Sequence, residues 1–486
     1  MIGCVVLAAC GSDSNGGPDG NTTPPAACEA LTITGTAVYV AVDGDDDSGD
    51  GSQGSPWASI GHAIQNVADE TTIVVGPGTY NGRIRLDEVF DIGVRIVADP
   101  PYQARLRHTG TVVTVYSGKG ITLEGFDIAH AGPGAEALVV QIQDLIGESG
   151  GDDAVSRITL RNNILHDSYN NDILKINNGV KDITIERNIF YNQEGSDEHI
   201  DINSVADVMI RDNIFFNDFA ASGRTNGSDT SSYIVIKDSN GNDDSYEGTQ
   251  RVTIRRNVFM NWQGGSGSNM VLVGEDGNSY YEARDILIEN NLLVGNGTDE
   301  MRAPLGVKGG RDITIRHNTV VGDMPGNAFA FRFNQEGANP VNTNIDIYNN
   351  IWSDPTGSMD DFSDTPAGET SNFTLDNNLY WNNGQSLPGG GDDVVQVGDD
   401  AMSVEGDPLL PVISATTMPT WDESGNRFAD GSGDTCAVFD KLIMTYAVLG
   451  AGSPAIGSAR SDESPADDIL GNPRSGATSI GAFEPQ

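Results

Sequence analysis

An all-β solenoid of stacked short strands is the fold class the sequence predicts. Three observations predict it: a strand–Asn–strand unit that recurs from residue 158 to 380, near-equal early spacing of its asparagine, and 60 glycines against 21 prolines in a chain of 486 residues. With 37% apolar residues in periodic runs, the chain has the material for a core.

The units align as ITLRNNIL (158–165), ITIERNIF (183–190), VMIRDNIF (208–215), VTIRRNVF (252–259), ILIENNLL (286–293), ITIRHNTV (313–320), IDIYNNIW (345–352) and FTLDNNLY (373–380). Each holds a short alternating strand, a polar pair ending in Asn, and a second apolar strand. The asparagines are Asn163, Asn188, Asn213, Asn257, Asn291, Asn318, Asn350 and Asn378. One repeat of this length cannot bury its own apolar face, whereas stacked repeats share a continuous core. Asn tolerates left-handed backbone, and its amide can bond the same amide one coil away. Such a column resembles the asparagine ladder of right-handed parallel β-helices, the pectate-lyase-like family.

The ends carry the same resemblance. VYVAVDGDDDSGDGSQGSPWASIGHAIQNVADETTIVVGPGTYNGRI (38–84) resembles the opening segment of secreted β-helix proteins, where a strand and a short amphipathic helix, here about Trp57 to Ala68, cap the solenoid. AGSPAIGSARSDESPADDILGNPRSGATSIGAFEP (451–485) resembles their closing segment. The expected organisation is a signal over 1–10, a tether over 11–34 and one domain over 35–486. That domain divides into a cap (35–70), coils (71–385) and irregular C-terminal coils with the closing segment (386–486). The run DGDDDSGDG (43–51) fits no EF-hand register from Asp43 or Asp46 and reads as a solvated acidic turn.

A formal charge of −43 excludes non-specific nucleic-acid binding, which needs basic patches. An anionic substrate therefore requires a locally basic site. The N-terminal apolar run is too short to span a bilayer. Its LAAC followed by Gly11 and Ser12 resembles the lipobox of bacterial lipoproteins, which implies lipidation at Cys10. The protein is then expected to be exported to the outer membrane or cell surface, with the lipid as its one membrane contact, and to be a monomer. Cys28 and Cys436 remain available to pair in an oxidising compartment.

A third strand follows the variable turn of each coil: DILKIN (172–177), EHIDIN (198–203), SYIVIK (232–237), NMVLVG (269–274), APLGVK (303–308) and AFRFN (330–334). Alternation sends Leu174, Ile176, Ile200, Ile202, Ile234 and Ile236 inward. Three outward columns result: Ile173, His199, Tyr233, Met270, Pro304, Ala330; then Lys175, Asp201, Val235, Leu272, Gly306, Arg332; then Asn177, Asn203, Lys237, Gly274, Lys308, Asn334. Acid, base and amide groups gather on three consecutive coils of this face. Long turns at 218–231, 238–250 and 275–284 can wall it.

In pectate-lyase-like enzymes this face holds the active groove. The resemblance implies β-elimination on a uronic-acid polymer, in which the C5 proton becomes removable once the adjacent carboxylate is neutralised. Asn177 and Asn203 are candidates to hold that carboxylate, helped by Lys175 or by a cation, calcium, on Asp201 with Glu198 beside it. Lys237 or His199 is the candidate base, and Tyr233 the candidate acid or second base. Arg224, Arg302, Arg332 and Lys308 are candidate binders of sugar carboxylates. The His199–Tyr233 column resembles the His/Tyr pairing of alginate lyases and mannuronan epimerases, although the epimerases' Asp-Pro-His-Glu motif is missing. The expected activity is a polysaccharide lyase acting on an acidic polysaccharide. The alternatives are a non-catalytic glycan-binding or adhesion protein, a uronate C5-epimerase, and a glycoside hydrolase.

Overall fold

The computed structural model describes residues 33, 35–145, 155–194, 197–225, 231–324, 328–389, 391–413 and 416–486. Cys10, Cys28 and most of the expected tether lie outside them. Cys436 is disulfide-bonded.

The chain winds through three long parallel sheets of 12, 10 and 12 strands. A representative coil runs Lys181–Glu186 in the first sheet, Ile189–Tyr191 in the third and Ile200–Asn203 in the second. Each strand pairs in parallel with its equivalent one coil on, as Ile183 does with Val208, Phe190 with Phe215 and Ile202 with Ile236. The protein is an all-β parallel solenoid, as the repeat predicts.

Alternation explains the core. Ile185, Ile210, Ile254 and Ile288 point inward from successive strands of the first sheet and are buried. Phe190, Phe215 and Phe259 stack with centroids 5.1 and 4.9 Å apart. In the ladder, Asn163 donates from its backbone N–H and its Nδ2 to Asn188 Oδ1, at 2.9 and 3.1 Å. The pattern repeats along all eight asparagines to Asn378, which donates from both groups to Asp400 Oδ2 at 2.9 Å. The left-handed residue is the one before each ladder asparagine (Asn162, Arg187, Asp212, Arg256, Asn290, His317, Asn349, Asn377) and not the asparagine itself. The bend therefore uses two positions, one for the backbone and one for the amide.

The N-terminal cap is the helix Ile60–Asn66, shorter than the expected span from Trp57. Ser59 caps it by accepting from His62 N–H, and Asp46 accepts from the N–H groups of Ala58 and Ser59 at 2.8 and 3.0 Å. The acidic turn thus holds the cap: Asp45 and Asp50 also accept local backbone N–H bonds.

After Val404–Glu405 the chain stops adding coils and runs back along the outside of the third sheet. There the helix Thr435–Tyr446 covers Ile164, Ile189, Ile214 and Val258 with Val438, Leu442 and Ile443. Arg474 is buried and bonds Glu484, Asn290 Oδ1 and the carbonyls of Ser479, Gly481 and Ala482. The closing segment is a side cover rather than further turns of the solenoid.

Candidate functional site

The second sheet presents its outer face with Lys175 beside Asp201 and Val235, and Asn177 beside Asn203 and Lys237. The second and third columns expected from alternation do face out. The first does not: Ile173, His199, Tyr233, Met270 and Ala330 are all 0% exposed. These residues sit where the chain turns the corner into the strand, so two successive side chains point inward. His199 stacks on Tyr233 at 4.5 Å with the rings 6° from parallel, and near Phe190 and Phe215. His199 Nε2 bonds Asn217 Oδ1 (3.0 Å), and Tyr233 OH donates to the carbonyls of Met260 and Asn261 (3.1 Å each). Burial lowers His199 to about 3 and raises Tyr233 well above its ordinary value. Both rings belong to the packing of the solenoid, which corrects their expected place on the reactive face.

What remains outside is a compact charged cluster. Asp172, Glu198 and Asp201 are buried, and one carboxylate oxygen of each lies within 4.8 Å of the others. Lys175 bonds Asp201 Oδ2 and stands 3.8 Å from Asp172. Lys237 stands 3.8 Å from Asp201, 2.5 Å from Glu275 and 3.7 Å from Asp276. The cross-strand pair Lys175–Asp201 is thus one edge of a wider network. Glu275 reaches the cluster because the buried Glu282 accepts the N–H groups of Glu275 and Asp276 (2.8 and 3.0 Å) and so shapes their turn. Ser231, at the end of the opposite wall, donates to Glu275 Oε1 at 3.2 Å.

The electrostatics are those of too many acids in too little water. Burial, then the neighbouring charge of Asp172, raises Glu198 well above its ordinary value. Burial and Asp172 also raise Asp201 against the pull of Lys175 and Lys237. Asp197 is pushed up to about 7 by burial, Asp172 and Glu194. Burial opposes the charge of Lys237, yet Asp201 and Glu275 outweigh it and hold the ammonium. Lys175 behaves likewise through Asp201 and Asp172.

Like charges this close cannot all ionise unless a proton or a cation compensates them. The donor set of hard carboxylate oxygens suits calcium. Asp201 Oδ1 is buried with no hydrogen-bond partner, which leaves a ligand atom free within the triad. The residues fit a divalent cation.

Other expected binders are engaged elsewhere. Asn203 exchanges bonds with Ser239, accepting from its N–H (2.9 Å) and donating to its Oγ (2.8 Å). Arg224 donates to the carbonyls of Asn192 and Gln193 (2.6 and 3.0 Å) and lies over the rings of Tyr169 and Phe219. It braces the turn leading to Asp197 and does not reach the face. Arg302 and Arg332 share the carboxylate of Asp364, and Lys308 pairs with Glu336 at 3.1 Å. Arg332 is in the column of Asp201 but four strands on, about 19 Å at ordinary strand spacing.

Asp172 escaped sequence reasoning, although the signal was present. It stands two residues before the core position Leu174, as Glu198 does before Ile200.

No protein family and no curated protein matches the sequence. Among solved structures, pectate lyase Pel9A is similar over 93% of this chain and 98% of its own, at 15% identity and a TM-score of 0.52. A complex of XylC with xylose is similar over 92% and 98%, at 11% identity and 0.50. The A-module of an Azotobacter vinelandii mannuronan C-5 epimerase, AlgE6, is similar over 72% and 93%, at 15% and 0.44. At these identities the likeness is one of fold: the chain shares the parallel β-helix architecture of these structures.

Proposed function

We propose that the protein is a polysaccharide lyase that cleaves a uronic-acid-containing polymer by β-elimination, with Lys237 as base. The observation that carries this reading is the meeting, on one outward face, of Lys237 with a buried carboxylate triad that has a free ligand atom. Similarity of fold to a pectate lyase supports it.

In this reaction the base takes the C5 proton, the C4–O bond breaks and a C4–C5 double bond forms, while the departing oxygen takes a proton from water. Asp172, Glu198 and Asp201 would hold a calcium ion, which would supply positive charge to the uronate carboxylate and so acidify C5. Asp201 and Glu275 hold Lys237 as an ammonium, and a cation held on Asp201 would weaken that pull and favour the neutral amine a base must be. Lys175 steadies Asp201 and adds positive charge beside the substrate carboxylate. Epimerisation needs a second proton donor, and the groups the sequence offered for it, His199 and Tyr233, lie inside the solenoid. Elimination fits better. Cys10 and the segment 11–34 would tether the exported enzyme to the outer membrane or cell surface.

The test is the ultraviolet absorbance of unsaturated product from polyuronates and glycosaminoglycans, with calcium and with a chelator, using protein without residues 1–34. Lys237→Ala is expected to lower the rate by roughly 10²–10⁴-fold, and Asp201→Asn to abolish the calcium dependence. A Lys237→Ala enzyme as fast as the parent would refute the role of the base. A flat trace with retained glycan binding would favour the binding-protein reading instead.

A further inference from the structure

The outer face of the second sheet changes character on the coils that precede the charged cluster. Thr114 lies beside Gln141, Gln141 beside Lys175, and Gln143 beside Asn177. The outward positions of the strands Val113–Val115 and Val140–Gln143 therefore carry no charge. The next cation along this column, Arg85, is one strand beyond Thr114.

These neutral groups are ordered among themselves. Tyr116 OH donates to Gln141 Oε1 at 2.8 Å, and Gln141 Nε2 donates to Gln143 Oε1 at 2.7 Å. Two polar atoms on the same face are left over: Thr114 Oγ1 and Asn177 Oδ1 have no hydrogen-bond partner, on residues that are 0% and 9% exposed. Buried polar groups are nearly always paired, so unpaired ones on a binding face point to a ligand that pairs them. Beside Asn177 the face opens into a cavity of about 270 Å³ lined by Asp144, Leu145, Asn178, Asn240, Asp243 and Asp244. Its only charges are acidic, so a uronate would be repelled there while a sugar hydroxyl would find donors and acceptors.

We propose that Thr114, Tyr116, Gln141, Gln143 and Asn177 form a subsite for an uncharged sugar ring, which makes the preferred polymer one that carries a neutral sugar beside the reacting uronate. Cleavage of that polymer rests on the lyase reading given above; binding of the neutral ring does not.

Two alternating polymers, galacturonate–rhamnose and glucuronate–N-acetylglucosamine, would be compared with polygalacturonate and alginate as substrates, and their oligosaccharides as ligands in calorimetry. The expected result is a kcat/KM at least tenfold higher on an alternating polymer than on either homopolymer. Gln141→Arg, an exposed-face change, should invert that preference toward polygalacturonate, with thermal unfolding unchanged. Preference of the parent enzyme for a homopolyuronate, or an unchanged ratio in Gln141→Arg, would overturn the subsite and leave the lyase reading standing. If no polymer is cleaved, the lyase reading fails and binding decides the subsite. Tenfold weaker binding of an alternating oligosaccharide by Gln143→Ala supports it. No binding of either alternating oligosaccharide, or binding that Gln143→Ala leaves untouched, sinks it.

Discussion

At the scale of single residues, position decides what a side chain can do. Lys175, Asp201 and Lys237 were legible as outward residues because strict alternation holds within a strand. His199 and Tyr233 were misplaced because alternation fails at the corner, and no sequence pattern marks where a corner ends. Their burial has a measurable cost in acid. A histidine titrates near 6.5 in the unfolded chain and near 3 at His199 in the fold. The unfolded chain thus takes up a proton that the fold refuses. The stability this represents is complete above about pH 6.5 and is lost as pH falls toward 3, by about 2–3 kcal/mol at pH 4.5. Urea unfolding at pH 7 and at pH 4.5 should show a loss of this order, with a smaller difference in His199→Phe. An equal difference in that variant would assign the acid sensitivity to other groups.

At the scale of the element, the bend of the coil carries more than packing. Asn257 accepts from Asn213 through both N–H groups and donates to the carbonyl of Ile210 and to Asn291. Asn257→Ala removes all of these inside a buried column and takes a partner from two groups, the backbone N–H of Asn213 and the carbonyl of Ile210. At about 1–3 kcal/mol for each orphaned group, the expected loss is about 2–6 kcal/mol. By contrast Thr314→Ala, on the outer face of the first sheet, should change stability by less than about 0.5 kcal/mol. Denaturant midpoints of the two variants test the contrast, and equal midpoints would show the ladder to be ornamental. The repeated Asn made this column readable from the sequence. The left-handed residue next to it was not, since Asn, Asp, Arg and His all occupy that place.

At the scale of the whole molecule, the segment after Asp407 closes a surface that the coils leave apolar. Ile164, Ile189, Ile214, Val258 and Leu292 all point outward from the third sheet and are buried in one cluster with Val438, Leu442, Ile443, Ile469 and Ala482. A protein ending at Gly406 should therefore expose a continuous apolar strip and self-associate, which light scattering would detect; a soluble, monomeric truncation would show the cover to be dispensable. The likeness of SPAIG and IGAFEP to a closing segment carries the expectation that the domain ends there. It could not reveal where that segment lies, because a cover and a further coil bury the same kinds of residue.

The ladder's last partner has a consequence for where the array ends. Each asparagine both gives and receives, so the array hands its bonds from coil to coil and has no internal reason to stop. Asp400 receives from Asn378 and from Tyr380 and, as a carboxylate, has no proton to hand on. The exchange of an amide for an acid thus ends the ladder at Asp400, just before Val404–Glu405, the last strand of the third sheet.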